Sequence, residues 1–185
     1  NFSLQFCRRC AIVYEKFKCR EGKKLGTENL KALSGYTPIP WSAIPDLGLY
    51  MDQVITLITR MYEPLYGDAT CGYLSASMIN NYVKAKLIPR PTGKKYGREQ
   101  IALLTMIVSL KQVATMEDIR AMLTPAEDQT VEDLYALFCA QQQAVIAQIA
   151  SANEKPGDAL PTALHYAILS SAYRAGCETV LRDNA

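Results

Sequence analysis

The chain has 185 residues, 49% of them hydrophobic, and a formal net charge of +2. That length supplies one sizeable core, or a small core and a companion, and its longest apolar run, Ile101 to Leu110, is too short to span a bilayer. The charge is unevenly placed: residues 75–114 carry seven Lys/Arg against Glu99 alone, whereas residues 115–185 carry four against ten acids, as expected when one part meets a polyanion and another does not.

The first 35 residues are hard to place. Phe2, Leu4 and Phe6 alternate, Ile12, Val13 and Phe17 have helical spacing, and a basic, glycine-containing stretch follows. Arg8 and Arg9 break the apolar residues around Phe2 to Tyr14, so no secretory signal is expected. The six cysteines are then read as reduced thiols of a cytoplasmic protein. Cys7, Cys10 and Cys19 cluster, but a structural zinc site needs four ligands and His165 lies far away in sequence. No metal or cofactor is expected. Tyr36 to Leu47 holds Pro38, Pro40 and Pro45 around Trp41, which predicts an extended arm with Trp41 as a core plug or a strap.

Asp46 is a candidate cap for an amphipathic helix whose apolar face is Leu49, Val54, Leu57, Ile58 and Met61, ending before Pro64. Ser75 is a good N-cap for a helix through Lys86. Ile79, Tyr82, Val83 and Leu87 share its inner face, and Ser77, Asn80, Asn81 and Lys84 share the outer one. Pro89 and Pro91 stop it, and Thr92 to Tyr96 reads as a hairpin tip or wing. Arg98 to Val113 is apolar nearly all round, which predicts a helix between two layers. Thr115 and Asp118 form a capping-box pattern for a short helix through Leu123, and Thr130 with Asp133 repeats it for a long helix to about Asn153. Lys155-Pro156-Gly157 breaks the chain before a last helix from about Leu160 to Leu181. Its inward residues are read as Leu164, Ala167, Ile168 and Ala175, with Tyr173 and Tyr135 in the core. The expected fold is all-α in the main with a small β wing. It comprises an arm over 1–45, a winged helix-turn-helix over 46–124 and a C-terminal helical region over 125–185 for dimerisation or an effector.

The string from Leu74 to Leu123 resembles the DNA-binding half of MerR-type regulators. The matching parts are the capping Ser75, Leu87-Ile88-Pro89, the basic Lys94-Lys95-Tyr96, Arg98-Glu99-Gln100-Ile101 and Thr115-Met116-Glu117-Asp118-Ile119. With DLGLYMDQVI upstream, the stretch from Trp41 to Leu123 closely resembles a bacterial family of unassigned role, the domain of unknown function 1836. The resemblance implies a MerR-like winged helix-turn-helix and supplies no known activity.

The chemistry of the stretch can be argued from its residues. A helix fits the major groove, and Asn offers adenine a donor and an acceptor together. Asn80 and Asn81 are the candidate base readers, with Ser77 and Lys84 beside them. Arg90, Lys94, Lys95 and Arg98 are candidates to neutralise phosphates. Tyr96 either packs under the wing or offers a phosphate its hydroxyl. A double-stranded DNA partner and a homodimer are therefore expected, and no membrane. MerR-type proteins usually place an Arg-Tyr pair where this chain has Asn80-Asn81, and the segment beyond residue 114 is acidic. Both features suit the alternative, a protein-interaction module that keeps the winged fold without binding DNA. No phosphate-loop, dinucleotide, zincin or nucleophile-elbow motif occurs, and one histidine leaves few acid–base sets. An enzyme is not expected.

Overall fold

The computed structural model describes Leu33 and residues 36–66, 73–151 and 162–183. The readings of the first 32 residues, of Cys7, Cys10, Cys19 and Cys71, and of the break at 155–157 lie outside those residues. The described part is mainly helical with one small sheet. A 3-10 turn at Trp41–Ala43 leads to strand β1 (Leu49–Tyr50) and helix α1 (Met51–Tyr66). Helix α2 (Ala76–Lys84), strand β2 (Lys95–Tyr96), α3 (Arg98–Leu110) and α4 (Met116–Leu123) follow. The long helices α5 (Val131–Ser151) and α6 (Thr162–Asp183) complete the chain.

Helix α3 is the centre. All eight residues from Ile101 to Val108 are buried, because α1, α4, α5 and β2 enclose it. Its one buried polar side chain, Thr105, donates to the Ile101 carbonyl at 2.9 Å. The Thr105 carbonyl in turn accepts from the fully buried Tyr62 hydroxyl of α1 at 2.8 Å, so polar groups at the densest part of the core are partnered. Burying each large side chain such as Leu104, Met106 or Ile107 contributes about 1.5–3 kcal/mol. One buried cluster extends from Tyr36 to Tyr135, so packing continues across the expected limits at residues 45 and 124. Tyr36 stacks on Tyr62 at 6.1 Å and donates to Gln142 Oε1 on α5. The Tyr135 hydroxyl donates to the Ile39 carbonyl at 2.8 Å, and burial pushes its pKa far up. Trp41 lies tilted over Tyr135 at 6.2 Å as a half-buried strap.

Three of the expected caps form. Ser75 Oγ accepts from the Met78 N–H at 3.3 Å. Thr115 and Asp118 exchange both capping-box bonds, and Thr130 and Asp133 do the same. The threonine hydroxyls, followed by the threonine N–H groups, hold both aspartates below the usual carboxylate range. Other expectations need correction. Asp46 does not cap α1: it precedes the helix by five positions and pairs with Arg98 at 3.7 Å. The Tyr50 N–H at the head of α1 is satisfied by Gln53 Oε1 at 2.9 Å. Leu49 belongs to β1, and α1 runs on through Pro64 to Tyr66. A proline in the last turn removes only one ladder donor, which a helix about to end tolerates. Helix α3 stops at Leu110 rather than Val113.

Helix α6 departs most from expectation. Leu164, Ala167, Ile168 and Ala175 are exposed, and Tyr173 is 76% exposed. A weak apolar periodicity says which face is greasier, not what covers it. The flank that meets the rest of the chain carries Arg174, Cys177, Glu178 and Leu181, set against Leu110, Val113 and Met122.

Candidate nucleic-acid interface

Helix α2 is short and one-sided. Ile79 and Tyr82 are buried and Val83 is half-buried, while Ser77, Asn80, Asn81 and Lys84 are all exposed. Its last turn closes on Lys86, which holds φ +56°. The Lys86 N–H bonds the Val83 carbonyl at 3.1 Å and the Leu87 N–H bonds the Tyr82 carbonyl at 2.9 Å. This is a Schellman closure with lysine where glycine is usual. It ends the helix two residues before the expected Lys86 and drops Leu87 and Ile88 into the core.

Two cations that sequence reasoning left without a role hold the helix at its ends. Lys111, just past α3, donates its Nζ to the Tyr73 carbonyl ahead of α2 and approaches Met78 Sδ at 3.8 Å. Arg120 on α4 donates to the Ala85 carbonyl at the other end. A guanidinium there also meets the negative end of the helix dipole. The outward roll of the polar stripe is thus set by α3 and α4 together. Neither contact has a local sequence signal, since the partners lie 38 and 35 residues away.

The wing is a two-residue turn. Gly93 and Lys94 have φ +58° and +64°, and the Lys95 N–H returns to the Thr92 carbonyl at 3.0 Å. Two successive left-handed residues define the primed turn whose twist suits a hairpin. The strand partner is not the chain just before the turn alone. β2 pairs antiparallel with β1, Leu49 opposite Tyr96 and Tyr50 opposite Lys95. Gly48 makes the approach possible: it has φ +65°, and a Cβ there would sit 3.2 Å from Lys95 Cβ.

The wing residues divide. Arg90, Lys94 and Lys95 are exposed, and Lys95 Nζ lies 5.4 Å from the centre of the Tyr50 ring. Tyr96 is 2% exposed, so of its two readings it takes the one beneath the wing, and burial raises its pKa. Its expected phosphate contact is corrected on that ground. Arg98 is also committed elsewhere. Its Nε donates to the Ile44 carbonyl at 3.1 Å, its guanidinium lies 5.8 Å from the Trp41 ring, and Asp46 faces it. It ties the strap to the core instead of standing out toward a polyanion. The exposed cations of this region are therefore Lys84, Lys86, Arg90, Lys94 and Lys95, which follow Ser77, Asn80 and Asn81 along the chain.

A mainly helical unit with a two-stranded wing and one polar, cation-flanked helix face defines the class of structure. Residues 39–138 match the domain of unknown function DUF1836, and the chain belongs to that family. The match contains the stripe, the wing and both anchoring cations, and it ends part-way along α5. No curated protein matches the chain. No solved structure matches it either.

Proposed function

We propose that this protein is a MerR-like DNA-binding transcriptional regulator of the cytoplasm. The helix capped by Ser75 reads base edges in the major groove with Ser77, Asn80, Asn81 and Lys84. Arg90, Lys94 and Lys95 of the wing neutralise flanking phosphates. The observation that carries the reading is the exposure of all four stripe residues, Lys84 among them, on a helix whose opposite face is in the core, followed along the chain by four further exposed cations, with no acid between residues 75 and 98. Such a face offers donors and acceptors for base edges and positive charge for the backbone, the two things groove reading requires.

The test is fluorescence anisotropy of the full chain on labelled genomic duplex fragments over a salt series. The binding constant is expected to fall steeply with salt, and Lys94→Ala/Lys95→Ala to flatten the log–log slope by about 2, close to one per lost phosphate contact. Asn80→Ala and Asn81→Ala are expected to relax sequence preference while leaving that slope in place. Absence of binding at low salt would overturn the reading.

A second reading is favoured by Asn80-Asn81 standing where MerR-type chains carry Arg-Tyr, and by the ten acids after residue 114. It is a protein-interaction module with the same fold and no DNA contact. Retention of a protein partner by residues beyond 124, together with flow-through on heparin, would select it.

A further inference from the structure

We infer, resting on the DNA-reading proposal above, that Lys86 is a further phosphate contact of that face, and that the chain carries a lysine there although glycine would suit the backbone better. Four described residues have a left-handed backbone: Gly48, Lys86, Gly93 and Lys94. Glycine takes that conformation without steric cost, whereas a Cβ crowds the following carbonyl. The two that are not glycine are both lysines. Both are exposed, and they stand near the two ends of the segment that joins α2 to β2.

Neither position asks for lysine on local grounds. The Schellman closure at Lys86 needs only a residue that tolerates positive φ, for which glycine or asparagine is usual. The primed turn at Lys94 needs the same. What lysine adds is an aliphatic stem and an ammonium group. Elsewhere the cations are engaged: Arg98, Lys111, Arg120, Arg174 and Arg182 each donate to a group of the protein. Among the described residues the Lys86 and Lys94 side chains make no hydrogen bond, ion pair or ring contact. Backbone strain persists where its surroundings hold it, and it gathers at positions that serve a ligand. A strained cation without an internal partner points to an anion outside the chain.

The surroundings hold Lys86 from both sides. Its N–H bonds the Val83 carbonyl at 3.1 Å, and the Leu87 N–H bonds the Tyr82 carbonyl at 2.9 Å. The Ala85 carbonyl ahead of it accepts from Arg120 on α4. Leu87 and Ile88 behind it are buried, and Pro89 fixes its own φ. A charge whose base is already fixed binds with less ordering cost. Lys86 also lies past Lys84, the last residue of α2, beyond the stripe proposed to read bases. An ammonium is a compact point charge with no fixed fork, which suits a phosphate better than the patterned edge of a base.

The experiment is fluorescence anisotropy of the full chain on a labelled genomic duplex from about 50 to 250 mM salt, with urea unfolding alongside, for wild type, Lys86→Gly, Lys86→Gln and Lys86→Arg. Lys86→Gly is expected to raise the urea midpoint and yet to weaken binding roughly tenfold at the low-salt end and about threefold at the high end, flattening the log–log slope by about 1. Lys86→Gln removes the charge and leaves a side chain on the same backbone, so it should lose binding equally without the gain in stability; it decides the matter if Lys86→Gly does not fold. Lys86→Arg is expected to keep the wild-type slope. Arg182→Gln on α6, whose Nε already donates to the Glu178 carbonyl, is expected to leave the slope unchanged. If the wild type binds and both uncharged variants keep its slope, Lys86 is no phosphate contact while the DNA reading stands. A wild type that ignores DNA at low salt overturns both. A loss that is equal at every salt, or that Lys86→Arg does not restore, would make the role one of shape and overturn the assignment as well.

Discussion

Replacing Arg98 by alanine separates a structural cation from its exposed neighbours. Three contacts are lost. The bond to the Ile44 carbonyl is charged and half-buried, worth about 1.5–3 kcal/mol. The guanidinium over Trp41 adds about 0.5–1 kcal/mol. The pair with the exposed Asp46, at 3.7 Å, adds close to nothing. Since Arg98 is 27% exposed and solvent fills part of the vacancy, the net loss is expected near 2 kcal/mol. With a urea slope of about 1–3 kcal/mol/M for a small protein, the unfolding midpoint should fall by roughly 1 M. Trp41 is the chain's one tryptophan, so its fluorescence follows the strap directly, and circular dichroism follows the helices. Lys95→Ala, three positions earlier and exposed, is expected to shift the midpoint by less than about 0.5 kcal/mol equivalent. A stable Arg98→Ala protein, together with a loss of DNA salt dependence equal to that of Lys95→Ala, would refute this division.

Three further expectations follow from the packing. Lys86→Gly relieves a left-handed lysine and should raise stability by about 1 kcal/mol, read as a higher midpoint in urea; a fall would mean the Lys86 side chain makes a contact that outweighs the backbone. Leu104→Ala, at the fully buried centre of α3, should cost about 2–5 kcal/mol in the same assay. Asp118 and Asp133 have folded pKa values depressed first by the threonine hydroxyls, so their stabilisation is present above the ordinary carboxylate range and lost as pH falls through the depressed values. Thermal melts between pH 6 and pH 2.5 should show that loss, and Thr115→Val/Thr130→Val should make the fall shallower.

What could be read along the chain was local. Ser75, Thr115 and Thr130 announce their helices because a cap needs partners only three residues on. The inner face of α2 follows from a 3.6-residue period, and the burial of α3 from its lack of any polar face. What could not be read was the long-range pairing of short pieces. β1 is two residues long and finds β2 some 46 positions later, too little alternation to register as a strand. Arg98 looks like any wing cation until Ile44, Asp46 and Trp41 fold against it. Lys111 and Arg120 carry no pattern at all, yet they set the pose of α2. For α6 the apolar residues were visible, but a lone helix sequence contains no information about which side its neighbours occupy.

The stacking of Tyr36 on Tyr62, and the reach of its hydroxyl to Gln142, bear on how the protein can be dissected. The natural-looking cut sites, whether 46 and 124 or the family limits 39 and 138, fall inside the hydrophobic interior. A fragment trimmed there would leave Tyr62 with one aromatic face bare and Gln142 or its partner missing. Excision that preserves the interior has to begin ahead of Tyr36 and finish beyond Ile146.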